Sequence, residues 1–543
     1  MLLQELLSKT YIFKQRKLLL IEVSLTKYLE QMLAKTYGGA IQGIDAITIT
    51  IEVNIDKGIK FFLVGLPDNA VKESQQRIDA ALKNNGYRIP GKKIVVNMAP
   101  ADIKKEGSAY DLPIAIGILA ASKQIKKDKL SDYIIMGELS LDGSLQAIRG
   151  CLPIAIEARD KDFKGIILPK TNALEAAIVN DIDVFGINNI KELIDFFNDD
   201  IKLEKTIINT REKFSNTLSN YEFDFAEVKG QENIKRALEI AAAGGHNVIL
   251  IGPPGAGKTM LAKRLPSILP PLTLHEALET TKIHSVSGKL EKNSSLISIR
   301  PFQSPHHTIS DVALVGGGTY PQPGEISLAH NGVLFLDEFP EFKRTVLEVL
   351  RQPLEDRKIS ISRAKFTVEY PSSFMLVASM NPCPCGYYNH PEKDCICGPG
   401  IVQKYLNKIS GPLLDRIDIH VEVTPVPFKE LTETKDSETS ADIRKRVIKA
   451  RNIQDVRFKN NKGVYSNAHM SPKQLRQICH INEEGNNLLK TAMDRLSLSA
   501  RAYDRILKVA RTIADLENSE NIENNHLAEA IQFRSLDREN WAG

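Results

Sequence analysis

Hydrophobic and polar residues alternate strictly along the stretch from Ile47 to Asp56. A period of two residues predicts a β-strand with one buried face. Shorter apolar runs predict further strands at 60–65, 94–97, 134–136 and 165–168. Helical patterns follow at 68–85 and 111–122, and the first ends at Gly86. The pattern therefore predicts an α/β domain over residues 32–197.

Three further apolar runs, at 247–251, 333–336 and 374–379, predict a second sheet. Continuous apolar runs of this length are typical of strands that are buried on both faces of a parallel sheet. Alternating residues on either side of a basic turn predict a β-hairpin over 357–370. Residues 223–428 are thus predicted to form a parallel-sheet domain, and 429–543 a C-terminal domain whose residues from 440 onward follow a helical period.

The segments at and between these domains are more polar. Residues 198–222 have no clear period and predict a linker. Residues 1–31 give a marginal amphipathic helical pattern with interspersed charges, and the character of the sequence changes at Met32. We therefore predict that the natural start is Met32 and that 1–31 is a non-native extension.

The net charge and the distribution of apolar residues limit the kinds of partner that the chain is expected to bind. The 543 residues carry a formal net charge of +4, so any surface for nucleic acid has to be a local patch. No apolar run approaches the ~20 residues of a membrane helix, so we expect no membrane partner. A hydrophobic content of 42% and a charged content of 25% are ordinary for a globular protein of about three domains.

A glycine-rich loop lies between the run at 247–251 and a helical pattern. Backbone N–H groups of such a loop can cradle phosphate oxygens, and the lysine and hydroxyl at its end can reach the terminal phosphates and Mg²⁺. The complete motif in this context makes a chance glycine-rich turn the weaker interpretation. The predicted ATP-binding residues are Gly252, Pro253, Pro254, Gly255, Ala256, Gly257, Lys258 and Thr259.

Two carboxylates follow the buried run at 333–336. Asp337 is predicted to hold Mg²⁺ together with Thr259, and Glu338 to polarise the attacking water. Adjacent carboxylates can also belong to an ordinary loop. The glycine-rich loop argues against that reading, because the two motifs together make one site for ATP hydrolysis.

Four of the six cysteines lie within residues 383–397, which we predict to be a zinc-binding insertion. Four thiolates suit a tetrahedral structural Zn²⁺, which would hold a loop rather than perform chemistry. Free or redox-active thiols are the alternative, and His390 is a possible substitute ligand. The predicted ligands are Cys383, Cys385, Cys395 and Cys397.

Short segments of the first domain resemble the proteolytic domain of the Lon family: 105–109, 136–139, 150–152 and 167–170. Lon-type proteases use a Ser–Lys dyad, and the resemblance puts Ala109 and Leu152 at those two positions. Because a serine nucleophile needs an adjacent base, the resemblance implies an inactive Lon-like domain. An active protease with a shifted dyad of Ser108 and Lys104 or Lys105 is the alternative.

The second domain resembles the magnesium-chelatase-like branch of AAA+ ATPases. The resemblance rests on 228–231 before the glycine-rich loop and on the runs 300–310, 316–319 and 323–332. Together with the Lon-like domain, the chain resembles the ComM/YifB family over about residues 32–541. The resemblance implies an AAA+ P-loop domain with a helical lid, ATP and Mg²⁺ as cofactors, and a homo-hexameric ring in the cytoplasm.

The same resemblance implies roles for single residues. Asn381 is similar to the first sensor of AAA+ proteins, Arg416 to the arginine finger and Arg501 to the second sensor on the lid. Arg416 could instead form a surface pair with Asp415 or Asp418. Arg505, Lys508 and Arg511 on the lid helix are expected to form a solvated or interface face.

Two further features leave alternatives open. In related AAA+ helicases the hairpin at this place enters the central pore, so Arg363 and Lys365 could contact the DNA backbone. A solvated turn is the other interpretation. His306 and His307 lack accompanying residues at metal-ligand spacing, and they fit either a loop near the nucleotide or pore, or a packed structural role.

The resemblance implies that ATP hydrolysis drives translocation or branch migration of single-stranded or branched DNA in recombination. A metal-insertion or remodelling chaperone of the magnesium-chelatase type is the second reading. An ATP-dependent protease is the third, and Ala109 and Leu152 argue against it.

Overall fold

The computed structural model describes residues 33–209, 221–290, 295–318, 321–363, 366–388, 390, 392–426, 437–461, 463–496 and 498–534. The predicted extension 1–31 lies outside these residues. The chain divides into two compact units: Met1–Arg211 with Thr281–Leu296, and Glu212–Thr280 with Ile297–Gly543. The first boundary lies within the predicted linker. Among the described residues, no helix has both the length and the apolar character needed to cross a membrane.

The first unit is an α/β fold around one mixed sheet. Its strands are β1 Leu33–Gln42, β2 Asp45–Asp56, β3 Phe61–Val64, β4 Lys93–Ala99, β5 Tyr133–Ile135, β6 Glu138–Leu139, β7 Leu145–Gln146, β8 Gly165–Pro169 and β9 Asp183–Ile187. Its helices are α1 Asn69–Asn84, α2 Asp111–Ala121, α3 Cys151–Asp160, α4 Lys170–Ala176 and α5 Ile190–Phe197. The Asp68 carboxylate caps α1 by accepting from the backbone N–H of Val71 at 2.8 Å.

Seven strands of this unit form one sheet in the order β3-β4-β2-β1-β5-β8-β9. β2 is antiparallel to both of its neighbours, and the other adjacent pairs are parallel. The predicted strands and helices are present, but β1 was not predicted because Gly38 and Gly39 interrupt its apolar pattern. A Cβ on Gly39 would lie 2.9 Å from Ile154, so the glycine is needed where α3 approaches the sheet.

The second unit begins with helices and strands that alternate along the chain. Its strands are β10 Val248–Ile251, β11 Phe302–Gln303, β12 Gly316–Gly317, β13 Gln322–Pro323, β14 Val333–Leu336, β15 Lys358–Arg363, β16 Phe366–Pro371, β17 Met375–Met380 and β18 Ile419–Glu422. The helices up to the last strand are α6 Glu232–Gly244, α7 Lys258–Arg264, α8 Leu274–Ser287, α9 Asp311–Val315, α10 Glu325–Leu328, α11 Arg344–Glu348, α12 Arg351–Asp356, α13 Pro399–Leu406 and α14 Gly411–Leu414. From Thr281 onward, α8 belongs to the first unit.

Five parallel strands form the sheet of this unit in the order β11-β14-β17-β10-β18. β10, β14 and β17 are buried along their whole length, as their continuous apolar runs predicted. Because the strands are parallel, the residues that follow these three strands meet at one edge of the sheet. The β15–β16 hairpin is also present, at the predicted place.

The C-terminal helices are α15 Ser440–Phe458, α16 Pro472–Ile478, α17 Glu483–Leu496, α18 Ala500–Leu516 and α19 Asn524–Gln532. α15 and α18 pack against α6 and share one hydrophobic core with the sheet. Of the two alternatives for the basic face of α18, solvated or interface, the solvated one is wrong. Arg505 pairs with Asp418 at 2.9 Å, Lys508 donates to the carbonyl of Ala468, and Arg511 is buried beside Asp515.

Candidate functional site

The glycine-rich loop follows β10 directly, and α7 begins at Lys258. Gly255 and Gly257 have φ angles of +81° and +87°, which L side chains rarely adopt. A Cβ on Gly255 would meet no atom within 4 Å, whereas one on Gly252 would lie 2.2 Å from the carbonyl oxygen of Val423. Gly252 thus permits close packing on the chain after β18, and Gly255 leaves open space on the side where phosphates would approach.

The Lys258 side chain folds back onto this loop. Its ammonium donates to the carbonyls of Gly252 and Pro253 at 2.7 and 2.9 Å, and to the side-chain oxygen of Asn381 at 3.1 Å. Burial lowers its pKa from the usual range for a lysine. The structure therefore brings together the predicted phosphate-binding lysine and the predicted sensor residue, which are 123 positions apart.

Asp337 lies beside the end of the glycine-rich loop. Its carboxylate accepts a hydrogen bond from the Thr259 hydroxyl at 2.6 Å and another from the hydroxyl of Ser379 in β17. The hydroxyl and carboxylate oxygens are ligands that suit Mg²⁺. Sequence reasoning missed Ser379, although a polar residue near the end of an apolar strand was the signal that could have identified it.

Glu338 has a φ of +52°, an uncommon left-handed conformation for a residue other than glycine. One of its carboxylate oxygens lies 3.0 Å from Nδ1 of His307, and its side chain is 58% exposed. The His306 ring lies 4.1 Å from that of His307, centroid to centroid. Of the alternatives left open for these histidines, this geometry favours a place beside the nucleotide site.

Gln231 fixes the other side of the loop. It adopts a left-handed conformation at the start of α6, and its side-chain amide donates to the carbonyl of Ala256 at 2.9 Å and of Thr424 at 3.3 Å. The motif at 228–231 is therefore in direct contact with the glycine-rich loop, as the resemblance implied.

The two predicted arginines lie in different surroundings. Arg416 is buried, and its guanidinium donates to the Pro412 carbonyl and to the carboxylate of Glu355. Arg501 is 61% exposed and lies 3.5 Å from Asp415. None of these contacts is with the glycine-rich loop. Glu355, rather than Asp415 or Asp418, is the partner of Arg416.

The cysteine loop, which we define as residues 383–397, brings its four sulfur atoms within 4.8 Å of one another. The three separations among Cys383, Cys385 and Cys395 are 3.3, 3.5 and 3.6 Å, close to the ~3.8 Å between thiolates on a tetrahedral Zn²⁺. His390 is not part of this cluster. Its Nδ1 accepts from the backbone N–H groups of Glu392 and Lys393.

The close approach of the sulfur atoms shifts the pKa values of two of these cysteines in opposite directions. Although burial opposes it, hydrogen bonds from the backbone of Tyr387 and from Cys383 lower the pKa of Cys385 to about 6. Against a backbone hydrogen bond from Cys397, burial and the neighbouring sulfurs raise the pKa of Cys395 to about 12. A dication among the sulfurs would remove this opposition between thiolates.

In the Lon-like unit, the hydroxyl of Ser108 donates to the carboxylate of Glu138. The Lys105 ammonium is buried and donates to the carbonyls of Pro100 and Ile103, and Lys104 lies 3.9 Å from Glu106. Ser108 is therefore paired with a carboxylate, and Lys104 and Lys105, the two candidate lysines of the shifted dyad, contact other groups. Leu152, which the resemblance puts at the lysine position of the dyad, is fully buried.

The basic turn of the hairpin is only partly described. Arg363 is the last residue of β15, where its backbone faces Phe366 of β16. Lys365 lies outside the described residues.

Comparisons with known proteins agree with this architecture. Three family models match: "Magnesium chelatase, subunit ChlI" at residues 224–431, "Subunit ChlI of Mg-chelatase" at 51–172 and "Magnesium chelatase, subunit ChlI C-terminal" at 437–534. Competence protein ComM of Haemophilus influenzae is 45% identical over 508 residues, covering 93% of this chain and 98% of its own. The protein YifB of Escherichia coli is 44% identical, with coverages of 92% and 96%.

A third relative matches one part of the chain. Lon protease 2 of Bacillus subtilis is 32% identical over 159 residues, which is 27% of either chain. The Lon resemblance is thus confirmed by a comparison independent of the motifs. With the identity to ComM and YifB extending over nearly the full length, the chain belongs to the ComM/YifB family of magnesium-chelatase-like AAA+ proteins.

Proposed function

We propose that the chain binds Mg·ATP at residues 252–259 and hydrolyses it. The observation that carries the proposal is the meeting of two side-chain pairs at one edge of the parallel sheet: Lys258 with Asn381, and Thr259 with Asp337. Bound ATP would take the Lys258 ammonium from the loop carbonyls, and the Thr259 hydroxyl and the Asp337 carboxylate would hold Mg²⁺, whose charge would offset that of the phosphates. Glu338 polarises the attacking water, and Asn381 positions it.

The active form that we propose is a homo-oligomeric ring, a hexamer by family resemblance, working in the cytoplasm. In it, Arg416 contacts the ATP of a neighbouring subunit and Arg501 reaches ATP from the lid. Arginine suits both positions because it stays charged and can bridge two phosphate oxygens. In the single chain Arg416 is paired with Glu355, so assembly has to exchange this carboxylate for phosphate.

We further propose that hydrolysis drives translocation or branch migration of single-stranded or branched DNA during recombination. The Haemophilus influenzae relative is named a competence protein, which supports a role with DNA. The β15–β16 hairpin ends in Arg363 and Lys365, whose charges suit sequence-independent contacts with phosphates. The cysteine loop holds a structural Zn²⁺ through Cys383, Cys385, Cys395 and Cys397.

The test is the ATPase rate of the purified protein with single-stranded, forked and no DNA, across a salt series. We expect DNA to stimulate the rate and the stimulation to fade with salt, because phosphate contacts are lost as counterions compete. Arg363→Ala with Lys365→Ala should reduce the stimulation and leave basal hydrolysis unchanged, while Lys343→Ala serves as a control at another basic position.

A second candidate function is a metal-insertion or remodelling chaperone, because all three matching family models are named for a magnesium chelatase subunit. Clean basal hydrolysis without any response to DNA would favour it. The protease reading is disfavoured by the partner of Ser108, which is Glu138 rather than a lysine.

A further inference from the structure

We infer that the cysteine loop positions the nucleotide site, with Gly386 and Tyr405 as the positioning residues. Gly386 supports the glycine-rich loop through Pro254, and Tyr405 supports the sensor Asn381 through its backbone. The inference rests on the proposed ATP hydrolysis and on the proposed zinc, and it makes the metal state of the cysteine loop a determinant of nucleotide affinity and turnover.

Gly386 is in contact with the glycine-rich loop. Its φ is +85°, and a Cβ on it would lie 2.4 Å from Cδ and 3.1 Å from Cγ of Pro254. Real Cβ atoms do not approach other atoms so closely, so the glycine is what lets the two loops touch. The backbone N–H of Gly386 donates to the Cys383 carbonyl at 3.0 Å, which closes the turn that contains the first two cysteines.

Tyr405 connects the other end of the cysteine loop to the sensor. It lies on α13, which begins two residues after Cys397. The Tyr405 side chain is buried and lies close to the backbone of Asn381, two residues before Cys383, and burial raises the pKa of its hydroxyl above the usual range. On the same helix, Val402 packs against Cys383, and both are fully buried.

These contacts connect the cysteine loop with Pro254 of the glycine-rich loop and with the sensor Asn381. A metal held by the sulfurs fixes the start of α13 relative to Asn381, and the Asn381 side chain is 3.1 Å from the Lys258 ammonium. Pro254 belongs to the loop that would surround the phosphates, so its displacement should act on ATP binding. Asn381 positions the water, so its displacement should act on turnover.

Two variants separate these effects. Gly386→Ala puts a methyl group against Pro254, and we expect a dissociation constant for fluorescent ATP at least tenfold higher, with kcat changed less than the affinity. Tyr405→Phe removes the hydroxyl and keeps the ring, so kcat should fall about tenfold while affinity stays within about twofold. Both proteins should retain the same zinc content per chain as the wild type, measured by elemental mass spectrometry.

The controls isolate the contact from general strain. Gly463→Ala introduces a similar backbone strain, because Gly463 also has a positive φ of +83°, but its Cβ would meet nothing within 4 Å. Gly400→Ala lies in α13 and is equally open. Both should bind and hydrolyse ATP like the wild type. Adding Pro254→Ala to Gly386→Ala removes the ring that the new methyl group meets, and should restore most of the affinity.

The inference is overturned if zinc-loaded Gly386→Ala binds ATP normally, if Pro254→Ala restores nothing, or if Tyr405→Phe turns over at the wild-type rate. It is also overturned if chelating the zinc leaves affinity and kcat unchanged. A wild-type protein that neither binds nor hydrolyses ATP would instead reject the proposed function, so the two failures are distinguishable.

Discussion

At the scale of single residues, Glu338 is held by its backbone and by one neighbour. The left-handed conformation at φ +52° turns the chain sharply after Asp337, and His307 contacts the carboxylate at 3.0 Å. Strained conformations of this kind persist where the surrounding structure fixes them, and they cluster at functional sites. Because its side chain remains largely exposed, Glu338 can reach a water in front of the glycine-rich loop, whereas Asp337 is held by Thr259 and Ser379.

The change Glu338→Gln should therefore remove turnover and leave binding intact. We expect kcat to fall by ~10²–10⁴, the usual contribution of a general base, with the affinity for Mg·ATP within about twofold of wild type. Lys258→Ala should instead lose ATP binding. Glu341→Gln, three residues further on and paired with Lys408, is the matched control and should hydrolyse normally. A normal rate in Glu338→Gln would assign the water-activating role to another residue.

At the scale of elements, what is local in sequence was predictable. β10, β14 and β17 are apolar runs followed at once by their functional residues, so the pattern gave both the strand and the place of the site. The prediction of a solvated basic face on α18 was wrong for the opposite reason. The helical period identified the helix, but Arg505 pairs with the buried Asp418, which lies 87 positions away, and no local pattern records such a partner.

The same limit applies to smaller contacts of the site. Ser379 and His307 reach Asp337 and Glu338 only because β17 and the chain after β11 are placed beside β14 by the sheet. The Ser108–Glu138 contact likewise connects the turn before α2 with β6, which are separated in the sequence. Alignment of the motifs alone could show only which residues do not match the Lon dyad.

The buried charged residues of α18, Arg511 and Asp515, allow a prediction about the stability of the fold. Asp515 is 1% exposed and accepts from Arg457 at 2.6 and 2.7 Å, from Arg511 and from Asn467. Asp515→Ala would leave the buried guanidinium of Arg511 without its carboxylate, and we expect a loss of about 3–5 kcal/mol in the free energy of unfolding. Thermal unfolding should report it as a lower midpoint, whereas Asp494→Ala, at an exposed position, should change little. An unchanged midpoint would show that water or other groups compensate for the lost charge.

At the scale of the whole molecule, one chain supplies most of the proposed site, but Arg416 is paired with Glu355 and Pro412 rather than with the glycine-rich loop. Its guanidinium is buried against Glu355 and the Pro412 carbonyl, and its Nε has no hydrogen-bond partner among the described residues. A buried charge that is only partly satisfied is a group with free energy to gain from a better anion. Phosphate oxygens of a nucleotide held by a second copy would provide that anion, which is why we propose that hydrolysis belongs to an assembled ring.

Mixing two inactive variants tests this arrangement. Arg416→Ala should keep its own ATP and lose hydrolysis by about 10³-fold or more, the usual contribution of an arginine supplied in trans. Lys258→Ala should bind no ATP but still present Arg416. If the arginine acts on a neighbour, a mixture of the two proteins regains part of the wild-type rate, because some interfaces combine an intact site with an intact arginine. The control mixture, Lys258→Ala with Glu338→Gln, contains no subunit able both to bind ATP and to activate water, so it should stay inactive in either arrangement. If the Arg416→Ala mixture also stays inactive while an affinity-tagged Lys258→Ala subunit co-purifies the untagged Arg416→Ala subunit, Arg416 acts within its own chain. Its pairing with Glu355 then belongs to the structure of the motor rather than to its assembly.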